Sequence, residues 1–195
     1  MMDFNTPTGA TPLDPNEIEG LIPSHITTRD ELNRWEQDNI TEALAWVEKR
    51  RPKDILNESF IKQLHKRMFR HVWQWAGKLR QSEKNLGVSW YQISIELKKL
   101  CDDTYYWIEN KTFPEDELAA RFHHRLVFIH PFSNGNGRHA RLMTEILLEN
   151  VLNKPPFTWG SANLGASGDD RKRYIEALIA ADRGDFQPLL DFVRS

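Results

Sequence analysis

Apolar positions repeat with a helical period along most of this chain. Thr28 and Glu31 stand three apart, the spacing of a capping box. Leu32, Trp35, Ile40, Ala43, Leu44 and Val47 then mark one face of a helix that Pro52 ends. Asn57 suits the cap of a second helix with the stripe Phe60, Ile61, Leu64, Met68 and Phe69. A third is predicted from near Ser94, with Leu97, Leu100, Cys101 and Tyr105 inward. A fourth follows Pro114, where Glu115, Asp116 and Glu117 match the positive end of a helix, and Leu118, Phe122, Leu126 and Ile129 form its stripe. A strong helix from about Gly135 buries Leu142, Ile146, Leu147 and Val151 until "NKPPFTW" breaks it. Two short helices are predicted over Asp170–Ala181 and Asp185–Val193.

Two stretches depart from this period. In "WAGKLRQSEKNLGVSWYQIS" apolar residues are sparse, and Asn85 and Gly87 sit between short β-capable pieces, which predicts an exposed hairpin. Met1 to about Pro15 is rich in Thr, Pro and Gly and predicts no regular structure. The fold class expected is mainly α: a single-domain helical bundle carrying one exposed β-hairpin.

Composition narrows the function classes. The 195 residues carry a net charge of −2, with 39% hydrophobic and 28% charged positions, as befits one globular domain with a proper core. Near-neutral charge argues against a nucleic-acid partner. No apolar run reaches a membrane span and no basic-then-apolar leader opens the chain, so a cytoplasmic protein without a membrane partner is expected. The lone Cys101 reads as a small core residue. Seven tryptophans must mostly line the core or a groove.

The chemistry concentrates in "IHPFSNGNGRHAR", Ile129–Arg141. A helix starting near Gly135 offers unpaired N–H groups and partial positive charge. Gly135 and Gly137 let a ligand approach the backbone, and Arg138 and Arg141, three apart, add two guanidiniums. Together these make a socket for a polyphosphate. His130 stands at its rim, where a neutral imidazole can take a proton from an attacking hydroxyl. Phe132 is expected to point into the core and pin the loop. Cations at a helix start oppose the dipole, which marks function rather than stability. The glycines also satisfy the loose G-x-G-x-x-A spacing of a dinucleotide fingerprint, but the preceding stripe is helical and no strand ending in an acid follows. No P-loop pattern occurs. His123, His124, His130 and His139 could suggest a metal cluster, yet adjacent helical histidines diverge by about 100° and no H-E-x-x-H is present.

"HPFSNGNGRHAR" resembles the signature of the Fic family, H-P-F-x-[DE]-G-N-G-R-x-x-R, at eight of its nine fixed positions. "WAGKLR" resembles the start of that family's flap hairpin and "YIEALIAADRGDFQPLLDF" its closing helices. The whole chain resembles a small bacterial branch called mobile mystery protein B. The resemblance implies an N-terminal extension over 1–28 and a catalytic domain over 29–195. It also implies an enzyme that moves AMP from ATP onto a Ser, Thr or Tyr hydroxyl of a protein target. His130 would be the base. Gly135, Asn136 and Gly137 would hold the phosphates through backbone and amide donors, and Arg138 and Arg141 would bind the β- and γ-phosphates. The hairpin around Asn85, Leu86, Gly87 and Val88 would align the target by strand addition. Mg²⁺ or Mn²⁺ would sit at the family's acid, which is Asn134 here, a neutral and weaker ligand. A related branch transfers phosphate and carries Lys where this chain has Gly137, so AMP is favoured. Some family members silence themselves with an upstream Glu that pairs with the last motif arginine. "PNEIEG" offers Glu19 for that role, while Thr27-x-x-x-Glu31 has the spacing alone. The rival expectation is a silenced nucleotide-binding module or toxin held by a regulatory partner protein.

Overall fold

A computed structural model of the chain describes residues 14–161 and 168–195. The helices are α1 (Pro15–Ile18), α2 (Arg29–Arg50), α3 (Glu58–Phe69), α4 (Ile93–Asn110), α5 (Glu115–Ile129), α6 (Asn136–Ile146), α7 (Asp169–Asp182) and α8 (Gln187–Val193). α6 runs on into a π-helical turn, Leu147–Val151. The expected caps form. Thr28 Oγ1 accepts from Glu31 N at 3.3 Å, the Glu31 carboxylate accepts from Thr28 N at 3.1 Å, and Asn57 Oδ1 accepts from Phe60 N at 2.8 Å. α2 ends on Arg51 in the left-handed region ahead of Pro52, whose ring cannot continue a helix.

α2 packs on α3, α3 on α6, α6 on α5 and α5 on α4, around one core that includes Leu32, Ile61, Leu64, Phe69, Leu97, Phe122, Ile129 and Met143. A smaller cluster of Leu148, Phe157, Trp159, Tyr174, Leu189 and Phe192 seats α7 and α8 against α5. The site lies where α5 ends and α6 begins, at the heart of the larger core. Cys101 is buried, and burial pushes its thiol up to about 12, which fits a core residue. Among the described residues no helix is long and apolar enough to cross a membrane.

Four expectations need correction or limit. The hairpin is absent: no strand occurs among the described residues, and the one bridge pairs Leu21 with Trp73. Residues 78–88 form an irregular loop in which the Ser82 and Val88 carbonyls accept from the buried Arg80 rather than from a partner strand. On α2, Trp35 stays 39% exposed against His25, while Glu36 and Asn39 turn inward beside Leu32, Ala43 and Val47. On α4, Thr104 takes the inward place expected of Tyr105, because its hydroxyl can bond the Leu100 carbonyl one turn back. The unstructured stretch expected over Met1–Pro15 lies, up to residue 13, outside the described residues; Asp14 and Pro15 already belong to the start of α1.

Candidate active site

His130 closes α5 in the left-handed conformation (φ 54°), and its N–H still reaches the Leu126 carbonyl at 3.3 Å. This turn throws the next residues, Pro131–Asn134, across to the start of α6. The imidazole is only 7% exposed, so it does not stand at an open rim as expected. The flap lies over it: a Cβ at Gly87, whose φ is +102°, would come within 2.6 Å of His130 Cβ. Burial, then the cations Arg80 and Lys84, lower the His130 pKa to about 4, while the Val127 carbonyl favours the proton. The ring is therefore neutral at physiological pH.

The loop between His130 and α6 braces itself. Asn136 Oδ1 accepts from Phe132 N at 2.9 Å, and Asn136 Nδ2 donates to Phe132 O at 2.7 Å. The carboxamide expected to hold phosphate thus puts its oxygen and one of its two N–H groups into the loop. Phe132 is fully buried, stacked on His65 at 3.7 Å and edge-on to His139 at 5.1 Å. His65 accepts from Gly77 N at Nδ1 and meets the Asn134 carbonyl at Nε2, both at 3.0 Å. Gly135 sits at φ +76° where a Cβ would strike the Phe69 ring at 2.6 Å. Its glycine is a packing necessity before it is a phosphate cradle. Gly137 differs: a Cβ there would meet nothing nearer than Arg141 Nη1 at 3.9 Å, so the open space lies on the arginine side of α6. α6 starts at Asn136, and the first N–H groups of a helix have no carbonyl one turn back.

The two motif arginines are held by different partners. Arg138 Nη1 meets Glu36 Oε2 at 2.8 Å, and its guanidinium lies 5.0 Å from the centre of the Phe69 ring. Glu36 is 3% exposed and also accepts from Trp73 Nε1 at 2.7 Å. The Arg141 guanidinium acts on the Tyr174 hydroxyl, which meets His123 Nε2 at 2.8 Å; His123 Nδ1 faces Thr144 Oγ1 at 3.4 Å. Burial, chiefly, draws the Arg141 pKa down, with Arg138 and Arg171 adding to it. His123 thus spends both ring nitrogens on Tyr174 and Thr144, while His124 pairs with Asp182 at 2.7 Å.

Arg80 organises the flap from beneath. It is 3% exposed; Nε donates to the His130 carbonyl at 2.7 Å, Nη1 to the Ser82 carbonyl at 2.8 Å, and Nη2 to the Val88 carbonyl. Its own N–H donates to Pro131 O at 2.9 Å. Asn85, Leu86 and Gly87 form the exposed tip. Glu19 is exposed at the end of α1, and Glu31 spends its carboxylate on Thr27 and Thr28. The acid that reaches a motif arginine is Glu36. The available signal was polarity out of place, since Glu36 and Asn39 fall at helical spacing with Leu32, Ala43 and Val47.

The donors for a metal ion fit poorly. Asn134 brings a neutral oxygen that already accepts from Gly135 N at 2.6 Å, and no metal-holding group of three His, Cys, Asp or Glu occurs among the described residues. A hard divalent cation favours charged oxygens, so Asn134 by itself is a weak ligand for one.

Residues 55–148 match the sequence profile of the Fic/DOC family. The chain is 30% identical over 144 residues to the protein adenylyltransferase Fic of Aedes aegypti, which covers 72% of this chain but 27% of that protein. It is 27% identical over 194 residues to a probable protein adenylyltransferase of Sinorhizobium fredii, covering 88% of this chain and 87% of that one. In structure it is similar to BepC, a VirB-translocated effector of Bartonella tribocorum with bound AMPPNP. The TM-score is 0.67 at 20% identity, over 93% of this chain and 97% of that one. With the motif loop, its helix and the covering flap all in the stretch that matches, the chain belongs to the Fic/DOC family.

Proposed function

We propose that this protein transfers AMP from ATP to a Ser, Thr or Tyr hydroxyl of a protein target, with His130 as general base. The hydroxyl oxygen attacks the α-phosphorus and the bond to the β-phosphate breaks. Pyrophosphate leaves with the bonding electrons, and the hydroxyl proton passes to the neutral imidazole. The first N–H groups of α6, at Asn136 and Gly137, receive phosphate oxygens, and Arg138 and Arg141 offset the charge of the β- and γ-phosphates. Residues Asn85, Leu86, Gly87 and Val88 lead the target chain past His130. Asn134 would offer a contact to a Mg²⁺ or Mn²⁺ ion brought with the ATP phosphates, and such an ion would supply charge neutralisation there.

The observation that carries this reading is the joint placement of a neutral, left-handed His130 and the arginine-bearing start of α6 on one self-braced loop. The AMPPNP bound by BepC supports a nucleotide as its ligand. Glu36 favours a second feature, self-restraint: its carboxylate occupies Arg138 as a phosphate would, whereas the partner expected for Glu19 is the last motif arginine, Arg141. The test uses ATP labelled in turn at the α- and γ-phosphates, with the Glu36→Gln protein as acceptor of its own label alongside a cell extract. Label retained from α only, and lost in His130→Ala, supports AMP transfer. Label from γ only indicates a kinase. Nucleotide binding without transfer from either protein makes this a silenced nucleotide-binding module.

A further inference from the structure

The flap that covers His130 is tied down by the N-terminal segment. Lys84 Nζ lies 2.7 Å from both Asp14 Oδ2 and Glu17 Oε2, and its side chain is 3% exposed. Ser82 Oγ adds a contact to Asp14 Oδ2 at 3.3 Å. The strap that supplies these acids is anchored independently. Trp75 Nε1 donates to Glu17 O at 3.0 Å, Gln74 N to Gly20 O and Ile22 N to Val72 O, both at 2.8 Å. Glu17 further accepts from Asp14 N at 2.8 Å, which fixes the two carboxylates relative to each other. A lysine this buried requires its acids, since an ammonium left unpaired in such a place has lost its hydration without gaining a partner. Three residues beyond Lys84 stands Gly87, the residue against His130.

We propose that Lys84 is a positioning residue for His130: through it, Asp14 and Glu17 of the N-terminal strap hold the flap closed over the imidazole. Releasing the clamp lets residues 82–87 lift, and the ring becomes reachable by a target hydroxyl. Two flap cations act on the ring, Arg80 and Lys84; α5 offers it the Val127 carbonyl. At the start of α6, Asn136 is turned to Phe132 and Arg138 to Glu36. With the ring neutral well above pH 4, its chemical reactivity at pH 7 reports access rather than charge.

The proposal rests on the AMP-transfer reading only in the role it gives His130. Its test therefore measures access directly, so either can fail without the other. The full chain is treated with diethyl pyrocarbonate at pH 7, and the modification of each histidine is followed by peptide mass spectrometry. His71, exposed, serves as the fast reference, and His123 and His139, fully buried, report unfolding. His130 is expected to react slowly in the parent and severalfold faster in Lys84→Met and in the Asp14→Asn, Glu17→Gln pair. Lys84→Arg, which keeps a cation for both acids, restores the slow rate. An unchanged His130 rate in both variants overturns the proposal, as does a fast rate in Lys84→Arg. If His123 and His139 become reactive in Lys84→Met, the Asn/Gln pair, which keeps the lysine, decides. Unfolding of both makes the clamp a determinant of the fold and ends the proposal.

Discussion

Two irregular stretches meet at His130, and they are held by opposite means. The motif loop, residues 130–136, is braced over short chain distances: Asn136 bonds both backbone groups of Phe132, four residues away. Its outer supports are neutral rings, His65 beneath Phe132 and His139 at its edge. The flap, residues 80–88, has no backbone bracing of its own among the described residues and depends on two of its cations: Arg80 gathers the Ser82 and Val88 carbonyls. Arg80 reaches a carbonyl 50 residues ahead, and Lys84 reaches carboxylates 67 and 70 residues behind. One stretch needs uncharged imidazoles; the other needs fixed charge. Conditions that harm one should spare the other.

Acid should give the largest effect, and it strikes the loop. His65 is held well below its ordinary value by burial, then by His139. His123 and His139 fall to about 3 and His130 to about 4, each chiefly by burial. The folded-state values lie below the unfolded ones, so these groups contribute stability that is complete above about pH 6.5 and lost as pH falls through the folded values. By pH 5 His123, His130 and His139 should each have lost about 2 kcal/mol, with His65 acting in the same direction. Protonation is also geometrically hostile: His65 Nδ1 faces the Gly77 N–H, and His139 Nδ1 has no partner among the described residues. Urea midpoints measured from pH 7.5 down to 5 should fall steeply. A midpoint that holds steady would mean that these rings accept a proton without losing their places.

Single substitutions separate the two stretches further. Asn136→Ala leaves a buried N–H and a buried C=O of Phe132 unpaired, and should lower global stability by about 3 kcal/mol. Arg80→Met unpairs the His130, Ser82 and Val88 carbonyls, of which those in the flap can turn to water. It should lower global stability by about 2 kcal/mol while speeding amide exchange mainly across 80–88. Thermal melts together with exchange mass spectrometry would check both. If Arg80→Met unfolds the chain as a whole more readily than Asn136→Ala does, the contrast between a braced loop and a cation-held flap is lost.

That same contrast governs how much of the site could be read from the sequence. Most of the helical stripes, the Thr28 and Asn57 caps and the place of the motif loop depend on neighbours within a turn or two and were legible, Trp35 and Tyr105 excepted. Phe132 was expected inward, and it is. The flap was misread because Asn85 and Gly87 between short β-capable pieces fit a hairpin. Nothing local says that Arg80 will occupy the carbonyls a partner strand would have used. Lys84 looks like any surface lysine until the strap is laid beside it. Glu36 lies between: its polarity within an inward stripe was visible, but its partner Arg138 is 102 residues away.

Glu36 offers a smaller but sharper perturbation of the loop side. Glu36→Gln keeps an oxygen for Trp73 Nε1 and nearly the same volume, so stability should change little. It removes the charge that competes for Arg138, and nucleotide affinity should rise about tenfold, or about 1.4 kcal/mol. Equal affinities by calorimetry would show that the carboxylate does not compete with phosphate.

The smallest expected effect belongs to Asn134. Its side-chain oxygen accepts from Gly135 N at 2.6 Å, so an acid there would keep that bond and strengthen it, because an ionised acceptor binds an N–H more tightly. Asn134→Asp is thus tolerated by the loop, and it adds one negative charge beside the start of α6, where the helix dipole favours it. A charged oxygen is also the ligand a hard cation prefers. The Mg²⁺ concentration at half-maximal nucleotide binding should therefore fall severalfold, with affinity measured in EDTA weakened by repulsion from the phosphates. Binding that rises or falls equally with and without Mg²⁺ would assign the change to the loop instead of the ion. The flap variants should leave this Mg²⁺ dependence untouched, since Arg80 and Lys84 bond backbone carbonyls and the N-terminal strap rather than Asn134.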